Sequence, residues 1–145
     1  MKSINFGSRD NARRSIPWDD GEYGGFSTAA PWLPMYARYK EINVAADREQ
    51  EKSIFNFYKG LIKIRKAYSA VRHGIYENLT GEREGVYIYK MTDRDTGEAV
   101  VVVCNFQKEN EIDLDLTGEC ILSNYEKRTQ MSGVYGAYEC AVFVI

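Results

Sequence analysis

Side chains that cut or move covalent bonds in water come in few arrangements: a nucleophile beside a base, two facing carboxylates, or a cluster of metal ligands. The first is thinly supplied. His73 is the only histidine, and it lies near a helix-to-strand junction, so Ser–His or Cys–His catalysis would hang on one residue of an ordinary linker. It reads as a structural or solvated side chain. For the second arrangement, Asp19–Asp20 and Asp93–Asp95 fall in turn-like stretches, where aspartate caps backbone amides. For the third, Cys104, Cys120 and Cys140 stand singly in apolar surroundings, without the close spacing of zinc sites or redox pairs. They read as small buried hydrophobes. With no glycine-rich phosphate loop either, the expectation is no catalytic residue, no metal ligand and no cofactor in this chain. What remains is one dense polar and aromatic block, Ser8-Arg9-Asp10-Asn11-Ala12-Arg13-Arg14-Ser15-Ile16-Pro17-Trp18-Asp19-Asp20, followed by Gly25-Phe26 and Pro31-Trp32.

The elements around that block are legible from periodicity. From Ser8 to about Val44 the chain carries all three prolines, several glycines and clustered aromatics with no helical or alternating pattern. Such a long irregular segment is too apolar for a solvated linker and expects a surface to lie on. Next, Ile54, Phe57, Tyr58, Leu61, Ile62, Ile64 and Tyr68 recur at spacings of three and four with lysines between them, which predicts an amphipathic helix over 48–68. Asp47 with Gln50 is the expected N-terminal cap. Gly60, in mid-helix, costs about 1 kcal/mol relative to alanine, so a close neighbour is expected there.

After Gly74 the period changes to two, and strands are predicted around 75–79, 85–91, 98–106, 111–116, 120–125 and 138–145. Asp93-Arg94-Asp95-Thr96-Gly97 predicts an antiparallel hairpin between the second and third strands, Gly97 being free to take positive φ. Alternation of Ile112, Leu114 and Leu116 with Glu111, Asp113 and Asp115 exposes one face of that strand. Val100 to Val103 are apolar on both faces, as in a central strand covered from both sides. The expected fold is mainly β: an antiparallel sandwich or small barrel, preceded by an irregular aromatic-rich arm and one α-helix.

Bulk numbers narrow the function classes. At 145 residues the chain is ample for one buried core, and 44% hydrophobic with 28% charged residues is the balance of a folded globular protein. A net charge of −2 with scattered Lys and Arg leaves no footprint for a nucleic-acid backbone. The apolar run Ala99 to Cys104 is far short of the roughly 20 residues that span a bilayer, and no signal pattern opens the chain. No nucleic acid, no membrane and a cytoplasmic location are expected. An odd cysteine count argues against a disulfide-stapled secreted module.

The dense block resembles the segment after the eighth barrel strand in oligo-1,6-glucosidase and related α-glucosidases of glycoside hydrolase family 13, the α-amylase superfamily. Those proteins carry Arg-Asp-Asn-Ala-Arg, a short run ending in Trp-Asp, then Gly-Phe, Pro-Trp and Tyr-Lys-Glu-Ile-Asn-Val. The last element matches Tyr39-Lys40-Glu41-Ile42-Asn43-Val44. Where the family has Thr-Pro-Met-Gln before the tryptophan, this chain has Arg14-Ser15-Ile16-Pro17. A Val-Val-Cys-Asn-Phe-like segment, Val102 to Phe106, and a closing strand, Tyr138 to Ile145, follow in the family's order.

The resemblance implies that residues 1–72 are the tail of a (β/α)8 catalytic barrel and 73–145 the C-terminal antiparallel β domain. It implies a retaining glucosidase acting on terminal α-glucosidic bonds of short oligosaccharides, whose catalytic carboxylates lie upstream. A barrel takes about 250 residues, more than this whole chain. It also maps the family's arginine beside the −1 sugar onto Arg13, the one substrate-binding candidate, with Arg9, Asp10 and Asn11 shaping the loop and Trp18 packed beneath it. The sugar partner would be bound through the barrel. Two rivals stay open: a non-catalytic carbohydrate-binding module with solvent-facing aromatics on one strand face, and a protein-interaction β-sandwich whose aromatic arm docks on a partner or on a second copy.

Overall fold

The computed structural model describes residues 12–145. The chain divides into two compact units, Met1–Asn56 and Phe57–Ile145.

In the first unit, an irregular run leads to α1 (Val44–Glu49) and the opening residues of α2 (Ile54–Ala67). The single helix expected over 48–68 is broken into the end of α1 and α2, and a third helix, α3 (Ser69–His73), follows it. The reason lies in local hydrogen bonds that apolar spacing does not report. Asn43 caps α1, its Oδ1 accepting from the Ala46 amide at 2.9 Å, so the cap sits four residues before Asp47. Gln50 then turns extended (φ −84°, ψ 121°) and ends α1. Asp47 caps the next helix instead, accepting from the Phe55 amide at 2.8 Å, while buried Ser53 accepts from the Asn56 amide at 3.1 Å. The Asn56 side chain closes the junction by donating to the carbonyls of Arg48 and Gln50. These contacts satisfy helix-end groups that would otherwise be orphaned.

Tyr68, extended at φ −103° and ψ 120°, separates α2 from α3. The Glu98 carboxylate caps α3, accepting from the Ala70 amide at 3.0 Å and the Ser69 hydroxyl at 3.2 Å. Gly60 faces Leu122, whose Cδ1 would lie 3.1 Å from an added Cβ. That is the close neighbour the glycine predicts.

The second unit is antiparallel throughout. β1 (Ile75–Asn78), β2 (Val86–Thr92), β3 (Ala99–Asn105), β5 (Glu119–Ser123) and β7 (Cys140–Val144) form one sheet in the order β1-β2-β3-β7-β5. A two-stranded ladder pairs β4 (Asn110–Ile112) with β6 (Gly133–Tyr135). One face of the large sheet carries Val86, Ile88, Val101, Val103, Ala141 and Phe143, and the ladder's Ile112 and Tyr135 pack with them in the main core. The other face carries Val100 and Val142, packed with Ala70, Tyr68 and Val71 of the α3 region. The mainly β, antiparallel sandwich expected from the sequence is what the chain forms, and β3 is its central strand, covered on both faces.

The β2–β3 hairpin turns as its sequence dictates: the Gly97 amide donates to the Asp93 carbonyl at 2.9 Å, with Gly97 at φ +76°. The strand expected over 111–116 pairs only as far as Ile112. Beyond it the Leu114 amide and carbonyl bond the Ser132 hydroxyl, both at 2.8 Å. The alternation persists in burial all the same, Leu114 and Leu116 packing against the core while Asp113 and Asp115 are exposed. β6 carries no alternation long enough to read from sequence.

Candidate functional site

The chemistry-bearing block lies in the first unit and is organised by a tight left-handed turn. Tyr23, Gly24 and Gly25 have φ of 52°, 62° and 63° in succession. For a bulky residue such as Tyr23 this region is sterically costly, so the surroundings must impose it. They do: Gly24 is buried, and a Cβ there would meet the Met35 methyl and the Pro17 Cα. Its carbonyl accepts from the Trp18 amide at 2.7 Å and the Asp19 amide at 3.3 Å. The Asp19 carboxylate accepts from the Gly21 amide at 2.9 Å and occupies the space beside Gly25. Asp19 therefore caps a turn, as its position in the sequence suggests.

The turn is tied in turn to α1. The Pro17 carbonyl accepts from the Val44 amide at 3.0 Å, and the Trp18 carbonyl from the Ala45 amide at 2.9 Å. Buried Asn43 also donates to the carbonyls of Tyr39 and Lys40. Thus the Trp-Asp motif and the Tyr-Lys-Glu-Ile-Asn-Val motif hold each other through backbone bonds. The Trp18 side chain is half exposed, and the loop it was expected to pack beneath lies outside the described residues; its backbone makes the contacts given above.

Arg13 sits in a short helical turn before this hub and is exposed. Arg9, Asp10 and Asn11, expected to shape its loop, lie outside the described residues. Exposed with Arg13 on this unit are Ile16, Phe26, Trp32 and Tyr36, Trp32 at 78%. Arg13 thus presents an exposed guanidinium, a group that can bond an anion or a polyol.

In the second unit His73 ends α3 and is exposed, and Asp93 is consumed by its turn, accepting from the Asp95 and Thr96 amides at 2.9 and 3.3 Å. Among the described residues no group of three or more His, Cys, Asp or Glu could hold a metal ion, and no helix is long and apolar enough to cross a membrane. Three tyrosines do gather on the β1–β2 strands. Tyr76 and Tyr87 share a hydroxyl hydrogen bond of 3.0 Å, and the Tyr89 ring lies 5.3–5.8 Å from both.

Two groupings escape sequence reasoning. Arg128 is threaded between Glu139, at 2.9 Å, and the ring of Tyr135, at 3.8 Å from its centroid, and it donates to the carbonyls of Gln130, Ser132 and Val134. Glu139 returns a bond from the Gly136 amide at 2.7 Å. Burial pushes the Tyr135 phenol upward, and its hydroxyl donates to the Met131 carbonyl at 2.7 Å. This is a largely buried clasp for the loop before β7, with structural work. The other grouping is Cys104 with Cys140. Their sulfurs meet at 2.8 Å, whereas spacing in sequence had left all three cysteines single. Only Cys120 is fully buried as expected.

A family model described as alpha amylase, catalytic domain, matches residues 1–74. The oligo-1,6-glucosidase of Parageobacillus thermoglucosidasius is 36% identical over 132 residues, 87% of this chain and 23% of that protein. The chain thus spans under a quarter of the length of such curated relatives. Among solved structures, the trehalose-6-phosphate hydrolase of Bacillus licheniformis superposes with a TM-score of 0.86 at 27% identity over 99% of this chain and 27% of that one. The trehalulose synthase MutB of Pseudomonas mesoacidophila MX-45 superposes at 0.83 with 30% identity, over 94% of this chain and 26% of that one.

Proposed function

This chain belongs to the α-amylase family, and from that premise we propose that it is the C-terminal portion of a cytoplasmic retaining α-glucosidase resembling oligo-1,6-glucosidase. The whole protein would hydrolyse terminal α-glucosidic bonds of short oligosaccharides in carbohydrate metabolism. The two carboxylates that retention requires, about 5 Å apart across one glycosidic bond, would come from the three quarters of the protein outside this chain.

The observation that carries this reading is uncovered apolar surface. On α2, Ile54 is 75% exposed, and Tyr58 and Ile62 stand more than half open. In the first unit Trp18, Phe26 and Trp32 are at least half exposed. Soluble domains seldom leave so many large apolar side chains bare unless another surface meets them, and the last helix of a (β/α)8 barrel is expected to meet barrel strands and a neighbouring helix. The β unit would stabilise that barrel by covering apolar area. A trehalose-6-phosphate hydrolase and a trehalulose synthase both share this portion. That supports placing substrate choice elsewhere in the protein.

Arg13 would line the −1 subsite. Its planar guanidinium can bond sugar hydroxyls on one edge and brace a barrel carboxylate on the other. In the full-length protein, Arg13→Ala should lower kcat/KM on p-nitrophenyl α-glucoside by roughly 10²-fold, the scale of removing one preorganised donor. An unchanged kcat/KM would remove Arg13 from the site.

The tyrosine cluster on β1–β2 favours a second reading, a carbohydrate-binding module, because aromatic faces stack on sugars. Calorimetric titration of the 145-residue chain with isomaltose and maltose separates the two. The fragment reading predicts no binding, and millimolar or tighter binding without turnover would favour the module.

A further inference from the structure

We propose that Cys104 and Cys140 are a cross-strand dithiol that closes to a disulfide, a modification site bridging the two central strands of the β unit. β3 and β7 pair antiparallel with Cys104 directly opposite Cys140. The next pair along is hydrogen-bonded, the Asn105 amide donating to the Glu139 carbonyl at 2.8 Å. Because narrow and wide pairs alternate, Cys104 and Cys140 form a non-hydrogen-bonded pair, in which Cα atoms stand about 4.5 Å apart. That falls inside the roughly 4.4–6.8 Å that a disulfide requires. Cys140 confirms the alternation: its amide and carbonyl turn away from β3, to Asn124 of the loop after β5, at 2.7 and 3.2 Å.

Residues opposite each other share a sheet face, and the two sulfurs lie 2.8 Å apart on it. Both cysteines are half-buried. Cys120 is an internal contrast. It is buried on the opposite face, within the main core, and its thiol donates to the Leu122 carbonyl at 3.5 Å.

The oxidant is a low-molecular-weight disulfide. The Cys104 thiolate attacks one of its sulfurs, the external S–S bond breaks, and one small thiol leaves with a proton. Cys140 then gives up its proton and attacks the Cys104 sulfur, expelling the second small thiol. Two protein thiols are oxidised and one external disulfide is reduced to two thiols, with two electrons and two protons transferred. The thiol–thiol hydrogen bond, which either sulfur can donate, favours the thiolate on the accepting sulfur; with Cys140 donating, the Cys104 thiol is held below its ordinary pKa and the Cys140 thiol above.

Residues 36 apart in sequence become linked, which should raise the Tm of the β unit by on the order of 10 °C. The test is incubation of the native chain with glutathione disulfide, then acid quench, alkylation, intact mass and peptide mapping. The expected product is lighter by two hydrogens, carries no glutathione, retains one free thiol at Cys120 and yields a linked Cys104–Cys140 peptide. Cys120→Ser should form the same link, and Cys104→Ala, checked for native circular dichroism, should show no Tm response to oxidant. A glutathione adduct that persists on either residue, a link that includes Cys120, or both thiols left unreacted would overturn the proposal.

Discussion

Asn105, in the Val-Val-Cys-Asn-Phe segment, is a polar residue in a central strand, and it is almost wholly buried. Its Nδ2 donates to the Gly136 carbonyl at 2.8 Å and to those of Tyr135 and Gln107 at 3.3 Å, and its Oδ1 accepts from the Gln107 amide at 3.0 Å. It joins the end of β3 to the approach to β7. Asn105→Ala should therefore destabilise the chain by about 1–3 kcal/mol, the cost of orphaned buried groups, read as a lower urea midpoint with unchanged slope. Arg128 is the larger liability. Arg128→Met leaves Glu139 charged and buried, and should cost about 3–5 kcal/mol in the same unfolding experiment, whereas Glu139→Gln with Arg128→Met should recover part of it. Neither role was legible in the sequence. Besides Gln107, the partners of Asn105 lie 30 and 31 positions away, and Arg128 sits in a stretch without periodicity, so nothing local distinguishes it from a surface arginine. Asp19 and Asp93 were legible because an aspartate bonds amides two or three residues on, within the reach of a local pattern.

Helices and strands were legible in type and less so in extent. Apolar spacing locates α2 because a period of 3.6 is a property of the segment itself. The breaks at Gln50 and Tyr68 depend on which of several polar residues wins each cap, and the candidate Asp47 serves α2 across the break. Two glycines make the packing testable. At Gly60 the neighbour of an added Cβ is the flexible end of Leu122, so the helix-propensity gain should win and Gly60→Ala should stabilise by up to about 1 kcal/mol. At Gly74 an added Cβ would press on the Ala70 carbonyl and approach the Thr92 amide. These are backbone atoms that cannot step aside, and Gly74→Ala should destabilise by about 1–3 kcal/mol. The β2–β3 hairpin also has a pH signature. The nearby Ser69 hydroxyl, and then the hydrogen bonds from the Asp95 and Thr96 amides, hold the Asp93 carboxyl below its usual range. A depressed folded-state value means this stabilisation is complete above the ordinary aspartate pKa and is lost as pH falls through the lower folded value. Asp93→Asn should lower stability at neutral pH and flatten that acid limb of a Tm-against-pH curve.

The first unit and helix α2 both leave large apolar groups open. The mainly β architecture could be read from the switch in period after Gly74, and the family from motifs spread in order along nearly the entire length. The uncovered surface could be inferred only as an excess of aromatics without period. The same excess makes self-association of the isolated chain an expectation at high concentration, through the arm from Trp18 to Tyr39. The proposal to be tested is that the chain supplies architecture and one substrate-binding arginine while the catalytic carboxylates lie outside it. The most direct measurement is p-nitrophenol release from p-nitrophenyl α-glucoside by the purified 145-residue chain beside the full-length protein. Turnover by the full-length protein with none above background from the chain is the predicted result, and turnover by the chain alone would contradict it.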